Sequence, residues 1–295
     1  VQPAAFFGEE FMQRLDENAS QQNKVATLED RILRCQSILS TLQGVVVAFS
    51  GGADSTFLLA LATRALGPTK VIAAIGVSPS LPKAEHREAC ALAARIGVEL
   101  VEVETREMDN QDYAANPTNR CFHCKQDLFT RLQALAARRG LAAVVAGANA
   151  DDVGDFRPGL EAGRLLGVRN PLLEAGLTKA DVRRGSQEMG LPTWDKPAMA
   201  CLASRVPYGR PLTAAVLKRI ESAEAFLRQR GFRACRVRDH EPVARIEVPA
   251  EDLPRLLELR EAVVGALKKL GYAYVTLDLQ GLRSGSMNEV LHAAE

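Results

Sequence analysis

Short apolar runs alternate with longer amphipathic stretches over the first two thirds of the chain, and the rhythm changes after Pro192. Residues 45–49 (VVVAF) and 71–77 (VIAAIGV) are unbroken and rich in β-branched side chains, the pattern of strands buried on both faces. Residues 99–104 begin to alternate, 142–147 give a fourth strand, and 164–173 (RLLGVRNPLL) a weaker fifth. Between them, 83–96, 122–139 and 178–189 carry helical periodicity, as does the stretch from Thr56, where Phe57, Leu58, Leu61, Ala62 and Ala65 share one face. A helix from Thr27 precedes the first strand, with Asp30 three residues on as its capping-box partner. Alternating strands and helices predict an α/β fold, a parallel sheet covered on both faces. After a proline-rich loop (192–213), a helix (213–230), strands near 233–239 and 243–248, a helix (251–270) and a strand (273–279) predict a smaller α+β unit. The chain thus divides into a polar lead-in (1–26), an α/β domain (27–195) and a C-terminal domain (196–295).

The first strand hands over to the first crossover helix through SGGADS, residues 50–55. Such a loop presents free backbone N–H groups at a helix N-terminus, where an anion is stabilised. Gly51 and Gly52 let the backbone approach a phosphate without a Cβ in the way, and Ser50 and Ser55 add hydroxyl donors. A plain turn with Asp54 or Ser55 as N-cap is the simpler alternative. No Lys-Ser/Thr pair follows the glycines and the G-x-G-x-x-G spacing is missing, so neither the usual P-loop nor a dinucleotide fingerprint is present. The string VVVAFSGGADS resembles the signature of the PP-loop (ATP pyrophosphatase, adenine nucleotide alpha hydrolase-like) superfamily. That resemblance implies an adenylating enzyme whose loop holds pyrophosphate as a leaving group.

Composition narrows the class. The 295 residues are 47% hydrophobic and 25% charged with a net charge of +1, so no overall basic field attracts nucleic acid. No apolar stretch is long enough to span a bilayer, and VQPAAFFGEEFMQ lacks the order of a secretory signal. Six cysteines at this length fit reduced thiols in the cytoplasm better than a disulfide scaffold. Cys121 and Cys124 form C-x-x-C just before a helix: a redox pair, half a zinc site, an iron–sulfur pair, or two idle thiols. Cys201, in the proline-rich loop, is a third candidate, whereas Cys35, Cys90 and Cys235 fall within regular elements as small buried side chains. Three thiolates and an open position suit a 4Fe–4S cluster whose unique iron holds an exogenous sulfide.

GANADDVGDFRPG (147–159), KPAMACLASRVPYG (196–209), RVRDHEPVARIEV (236–248) and RSGSMNE (283–289), together with SGGADS, resemble the LarE family in order and spacing. The resemblance implies an ATP-dependent sulfur transferase of nickel-pincer nucleotide cofactor biosynthesis, the cofactor of lactate racemase. It would adenylate a carboxylate of pyridinium-3,5-biscarboxylic acid mononucleotide and replace its oxygen with sulfur. It also implies a homo-oligomer fed by sulfide or another sulfur donor. Some members of the family sacrifice the sulfur of one cysteine, at the position of Cys201; others hold a cluster with that cysteine and a C-x-x-C. Cys121 and Cys124 place this chain with the latter.

Expected roles follow. Ser50, Gly51, Gly52, Asp54 and Ser55 are assigned to ATP, with Mg²⁺ explaining an acid beside phosphates. Gly147, Asn149, Asp151, Asp152, Asp155 and Arg157 follow the fourth strand and face the same crevice, or else form a solvated acidic turn. Arg236 and Arg238 share a strand face and suit the substrate phosphate. Ser204 and Arg205 stand beside Cys201, the sulfur-bearing position, and would orient the substrate. Glu221, Glu224 and Glu247 are weaker candidates for a second metal, with salt bridges as the alternative. Trp194 packs or covers the nucleotide. The rival readings are a PP-loop tRNA thiolase, a carboxylate-amidating ligase, and a nucleotide sensor with structural zinc.

Overall fold

Thr27 and Asp30 close a reciprocal capping box that starts α1 (Leu28–Ser40). The computed structural model describes residues 26–153, 157–197, 200–283 and 286. Strands β1 (Val45–Ala48), β2 (Val71–Val77), β3 (Glu99–Glu104) and β4 (Ala143–Val145) make a parallel sheet in the order β3-β2-β1-β4. The helices of this part are α2 (Ala53–Leu66), α3 (Lys83–Ile96), the short α4 (Gln111–Ala114), α5 (Arg120–Arg139), α6 (Pro158–Leu165), α7 (Pro171–Glu174) and α8 (Lys179–Glu188).

Alternation along the strands divides the core in two. Val45 and Val47 join Phe57, Leu58, Ala89 and Val182 beneath α1, α2, α3 and α8. Val46 points the other way, onto Phe129 and Leu132 of α5. Burial on both faces is why β1 needs an unbroken apolar run. The outer strand β3 instead exposes Glu99, Glu102 and Glu104, charges that discourage pairing with another chain. The fifth strand expected over 164–173 is absent: α6 runs to Leu165, only Arg169 bridges to Val145, and α7 begins at Pro171. Pro171 lacks the N–H that a further ladder bond would need.

The C-terminal unit comprises α9 (Ala214–Gln229), β5 (Arg236–His240), β6 (Val243–Glu247), α10 (Leu253–Glu258), α11 (Arg260–Lys269) and β7 (Tyr274–Leu277). Its sheet runs β5-β6-β7, antiparallel then parallel. The single helix expected over 251–270 is broken at Leu259 into α10 and α11, which lets Leu256, Val263 and Leu267 all reach the core. A further buried cluster joins the two parts: Tyr113 and Cys124 from the first pack with Leu202, Val206, Leu217 and Ile220. No helix among the described residues is long and apolar enough to cross a membrane.

Gly185 of α8 sits against the Phe57 ring of α2, so that an added Cβ would fall 2.7 Å from Phe57 Cζ. Helix propensity favours Gly185→Ala by about 1 kcal/mol, whereas overpacking costs about 1–3 kcal/mol. The ring is fully buried and has nowhere to move, so the clash should win. We expect Gly185→Ala to lower the urea midpoint, and the same change in a Phe57→Leu background to raise it.

Candidate active site

β1 delivers the SGGADS loop to the N-terminus of α2 at the carboxyl edge of the sheet. Gly51 has φ +70, in the left-handed region, and an added Cβ would lie 3.0 Å from Ala89 Cβ of α3. Glycine is required there on both counts. Gly52 is the N-cap of α2 and supplies no side-chain bond, so the first-turn N–H groups face outward without a capping partner. The Ser50 and Ser55 hydroxyls lie 3.1 Å apart, and Ser55 Oγ also donates to the Gly52 carbonyl at 3.2 Å. Gly147, after β4, approaches this loop closely: a Cβ there would be 3.0 Å from the Ser55 nitrogen.

Asp54 does not cap the helix. Its carboxylate pairs with the Lys179 ammonium and accepts from Asn149 Nδ2 at 3.1 Å. Asn149 and Asp152 close their own capping box, and Asp152 also pairs with Arg157 at 2.9 Å. Asp151 accepts from the Lys179 backbone N–H at 2.8 Å. Asp155 lies outside the described residues, as do most of RSGSMNE and the lead-in 1–25. Two lysines that sequence reasoning passed over touch the loop. Besides Lys179, Lys196 donates to the Gly51 carbonyl at 3.1 Å and to Glu85 and Glu88 of α3 at 2.8 Å each. The proline-rich loop is thereby tied to the phosphate loop. Only the KPAMA string hinted at Lys196; nothing local marked Lys179.

Cys201 opens a 3-10 turn (Leu202–Arg205) and is exposed. Arg205 is 2% exposed, and its guanidinium binds the Ala200 carbonyl (2.6 Å), the Cys201 carbonyl (3.2 Å) and both Glu224 oxygens (2.8 and 3.2 Å). Ser204 Oγ donates to the same Cys201 carbonyl at 2.8 Å. Arg205 and Ser204 therefore hold the backbone around the sulfur-bearing residue. Cys124 packs beside Leu202 and Ala203, and Cys201 lies within electrostatic reach of both Cys121 and Cys124. Burial pushes the Cys124 thiol up to about 12, against the pull of the Lys125 ammonium. Burial, then Cys201, raises the Cys121 thiol. Neither is an activated thiolate as it stands; a metal bound there would take the place of the thiol protons.

Among the described residues, only His86, Cys90 and Glu102 bring ligand atoms within 4.8 Å of one another. Cys121, Cys124 and Cys201 do not form such a group. Behind them the Tyr113 hydroxyl and Glu107 Oε2 are buried with no hydrogen-bond partner. Three thiols are the donor set that an iron–sulfur group takes, and in that respect the residues fit one.

Arg236 and Arg238 part company. Arg238 is 1% exposed and engaged by Glu247 (2.9 and 2.7 Å), Ser286 Oγ and the Ser204 carbonyl. Arg236 is half-buried, donates to the Arg283 carbonyl at 3.2 Å, and lines a cavity of about 470 Å³. Burial, then the neighbouring Arg238 and Arg205 charges, lowers its pKa, the sign of a cation short of anions. Lys196, Arg228, Arg233 and Arg283 line the same cavity, which also reaches Ala200 beside Cys201. The three glutamates do not converge on a metal position. Glu224 is saturated by Arg205, Arg228 and the Val237 N–H, Glu247 by Arg238, Arg245 and Ser286, and Glu221 accepts the Lys83 N–H at the start of α3. Buried carboxylates need cations, and arginines supply them here.

A parallel sheet that offers a Gly-Gly loop at a helix N-terminus, with acidic and lysine side chains around it, defines an ATP-using enzyme of the PP-loop class. A family model described as NAD synthase matches residues 24–139, the stretch that carries this loop. Over longer spans the chain is similar to the pyridinium-3,5-bisthiocarboxylic acid mononucleotide synthase of Lactiplantibacillus plantarum, 39% identical across 92% of this chain and 98% of the relative. An uncharacterized protein of Synechocystis sp. is 43% identical across 90% and 99% of the two chains. One of Methanocaldococcus jannaschii is 27% identical across 81% and 91%. The chain belongs to the LarE family of PP-loop sulfur transferases.

The two kinds of glutamate separate on mutation. Glu247→Ala strands the Arg238 charge in the interior and should cost about 3–5 kcal/mol by urea unfolding. Glu221→Ala removes only a helix cap and should cost about 1 kcal/mol. Equal losses would mean that the buried pair is not what holds the hairpin.

Proposed function

We propose that the protein adenylates a carboxylate of pyridinium-3,5-biscarboxylic acid mononucleotide and converts it to a thiocarboxylate, releasing AMP and pyrophosphate. One observation carries this reading. The cavity that runs from Lys196, bonded to the phosphate loop, to Ala200, beside Cys201, is lined by Glu85, Glu88 and Asp195 and by paired arginines, and carries two, Arg233 and Arg236, that meet no carboxylate among the described residues. A nucleotide carrying a phosphate and two carboxylates supplies the missing charge.

The chain's residues divide the work. The α2 N-terminus, with Ser50 and Ser55, binds the β- and γ-phosphates. Asp54 is held between Lys179 and Asn149, so the pair offers a carboxylate for Mg²⁺ and an ammonium for pyrophosphate within one contact. A carboxylate oxygen of the substrate attacks the α-phosphorus, the bond to the bridging oxygen breaks, and pyrophosphate leaves. When sulfur adds to the acyl carbon, the former carboxylate oxygen departs with AMP, a far better leaving group than oxide. Arg236 binds the substrate phosphate, while Arg205 and Ser204 fix the loop that presents Cys201. Cys121, Cys124 and Cys201 hold a 4Fe–4S cluster. What a cluster bound there supplies is sulfur, the atom that takes the oxygen's place.

Two measurements test this. Arg236→Ala should raise the substrate KM roughly ten- to a hundredfold, the equivalent of about 1.5–3 kcal/mol for a charged hydrogen bond, with ATP affinity unchanged. Lys179→Met should instead slow pyrophosphate release and spare substrate affinity. If both variants weaken ATP alone, the cavity does not bind the nucleotide substrate.

Sulfur supply is read by intact mass. Anaerobic protein given sulfide should turn over repeatedly with its chain mass unchanged, and Cys121→Ala, Cys124→Ala and Cys201→Ala should each lose both bound iron and sulfur transfer. A mass loss of one H₂S at Cys201, with activity surviving in a Cys121/Cys124 double variant, would establish the sacrificial route.

A further inference from the structure

His86 and Cys90 are one turn apart on α3 and share a face, which the helix lays against the outer strand β3. Across from them on β3 stands Glu102, paired in register with Ile75 of β2. His86 Nε2 lies 2.9 Å from Glu102 Oε1 and 3.8 Å from Cys90 Sγ, and all three ligand atoms fall within 4.8 Å of one another. A tetrahedral ion with bonds of about 2.0–2.3 Å sets its ligand atoms about 3–4 Å apart. The three groups are therefore already near coordination spacing.

From this arrangement we infer that His86, Cys90 and Glu102 form a second metal site, separate from the three-thiol site, that takes Zn²⁺. One imidazole, one thiolate and one carboxylate make a borderline donor set suited to zinc, with water in the fourth position at the exposed Glu102 side. Binding releases the Cys90 thiol proton to solvent and leaves the imidazole proton on Nδ1, so that Nε2 offers its lone pair. Thiolate and carboxylate together balance the ion's two charges. The ion would brace α3, the helix whose other side carries Ala89 against Gly51 and the Glu85 and Glu88 carboxylates that hold Lys196. It needs no substrate or ATP, and does not depend on the adenylation reading.

The test uses the full chain with Cys121, Cys124 and Cys201 all changed to alanine, which removes the other metal-binding thiols. Cys35 and Cys235 remain, but both are buried in the apolar clusters and neither belongs to a group of metal ligands among the described residues. Titration with Co²⁺ should give one equivalent bound and a thiolate-to-cobalt charge-transfer band. Zn²⁺ should then abolish the band by displacement and raise the melting temperature. In the Cys90→Ser version of this protein the band should vanish, and His86→Ala should weaken binding at least tenfold. Circular dichroism of both variants without metal checks that each is folded. No band in the triple variant would overturn the site, as would binding that neither Cys90→Ser nor His86→Ala diminishes.

Discussion

The Arg205–Glu224 pair is the contact on which the geometry around Cys201 depends. Both side chains are almost wholly buried, and an ion pair in that setting holds its shape only when its other donors and acceptors are also met. Here they are: Glu224 takes Arg228 and the Val237 N–H, and Arg205 turns its remaining donors to the carbonyls of Ala200 and Cys201. α9, β5 and the Cys201 turn are fixed to one another through two side chains. Loss of either would leave a buried charge without a partner, so the cluster is an all-or-none element. Arg238 repeats the device a few residues away, joining Glu247 to the Ser204 carbonyl.

From that anchor the site extends to the phosphate loop by a chain of specific contacts. Lys196 reaches Gly51 and the first turns of α3, while Glu221 of α9 caps the same helix at Lys83. α3 is thus held from the ATP side and from the sulfur side at once. A cavity lies between these holdings, lined by Glu85, Glu88 and Lys196 and by Ala200, Arg205 and Arg236; in the proposed reaction it is where an activated carboxylate and a sulfur atom would meet. Proximity of this kind is worth more than any single contact, because it replaces an encounter with a fixed distance.

The fold was legible where the signal is local. VVVAF followed by SGGADS and an amphipathic run predicts strand, loop and helix, because backbone freedom at Gly51 and the apolar period are written within fifteen or so residues. The Cys121, Cys124 and Cys201 grouping came from a motif and a family resemblance, and the structure puts Cys201 within electrostatic reach of the pair. What stayed hidden is long-range. Lys179 meets Asp54 across 125 positions and Lys196 meets Gly51 across 145, with no spacing rule to announce either. Arg236 and Arg238 look equivalent on paper; in the hairpin Glu247 stands opposite Arg236 yet bonds the diagonal Arg238. The choice between facing and diagonal neighbours is set by packing, not pattern. RLLGVRNPLL misled because an apolar run does not say whether it ends in a ladder or in a turn.

The turn at Cys201 takes its shape from bonds to main-chain carbonyls. Ser204 and Arg205 hold the turn through main-chain atoms, so its shape does not rest on the side chain at position 201. A lineage can therefore alter what residue 201 does, or with which thiols it cooperates, and inherit the same scaffold intact. One framework can serve more than one way of delivering sulfur, because heredity of shape and heredity of reactivity are lodged in different residues.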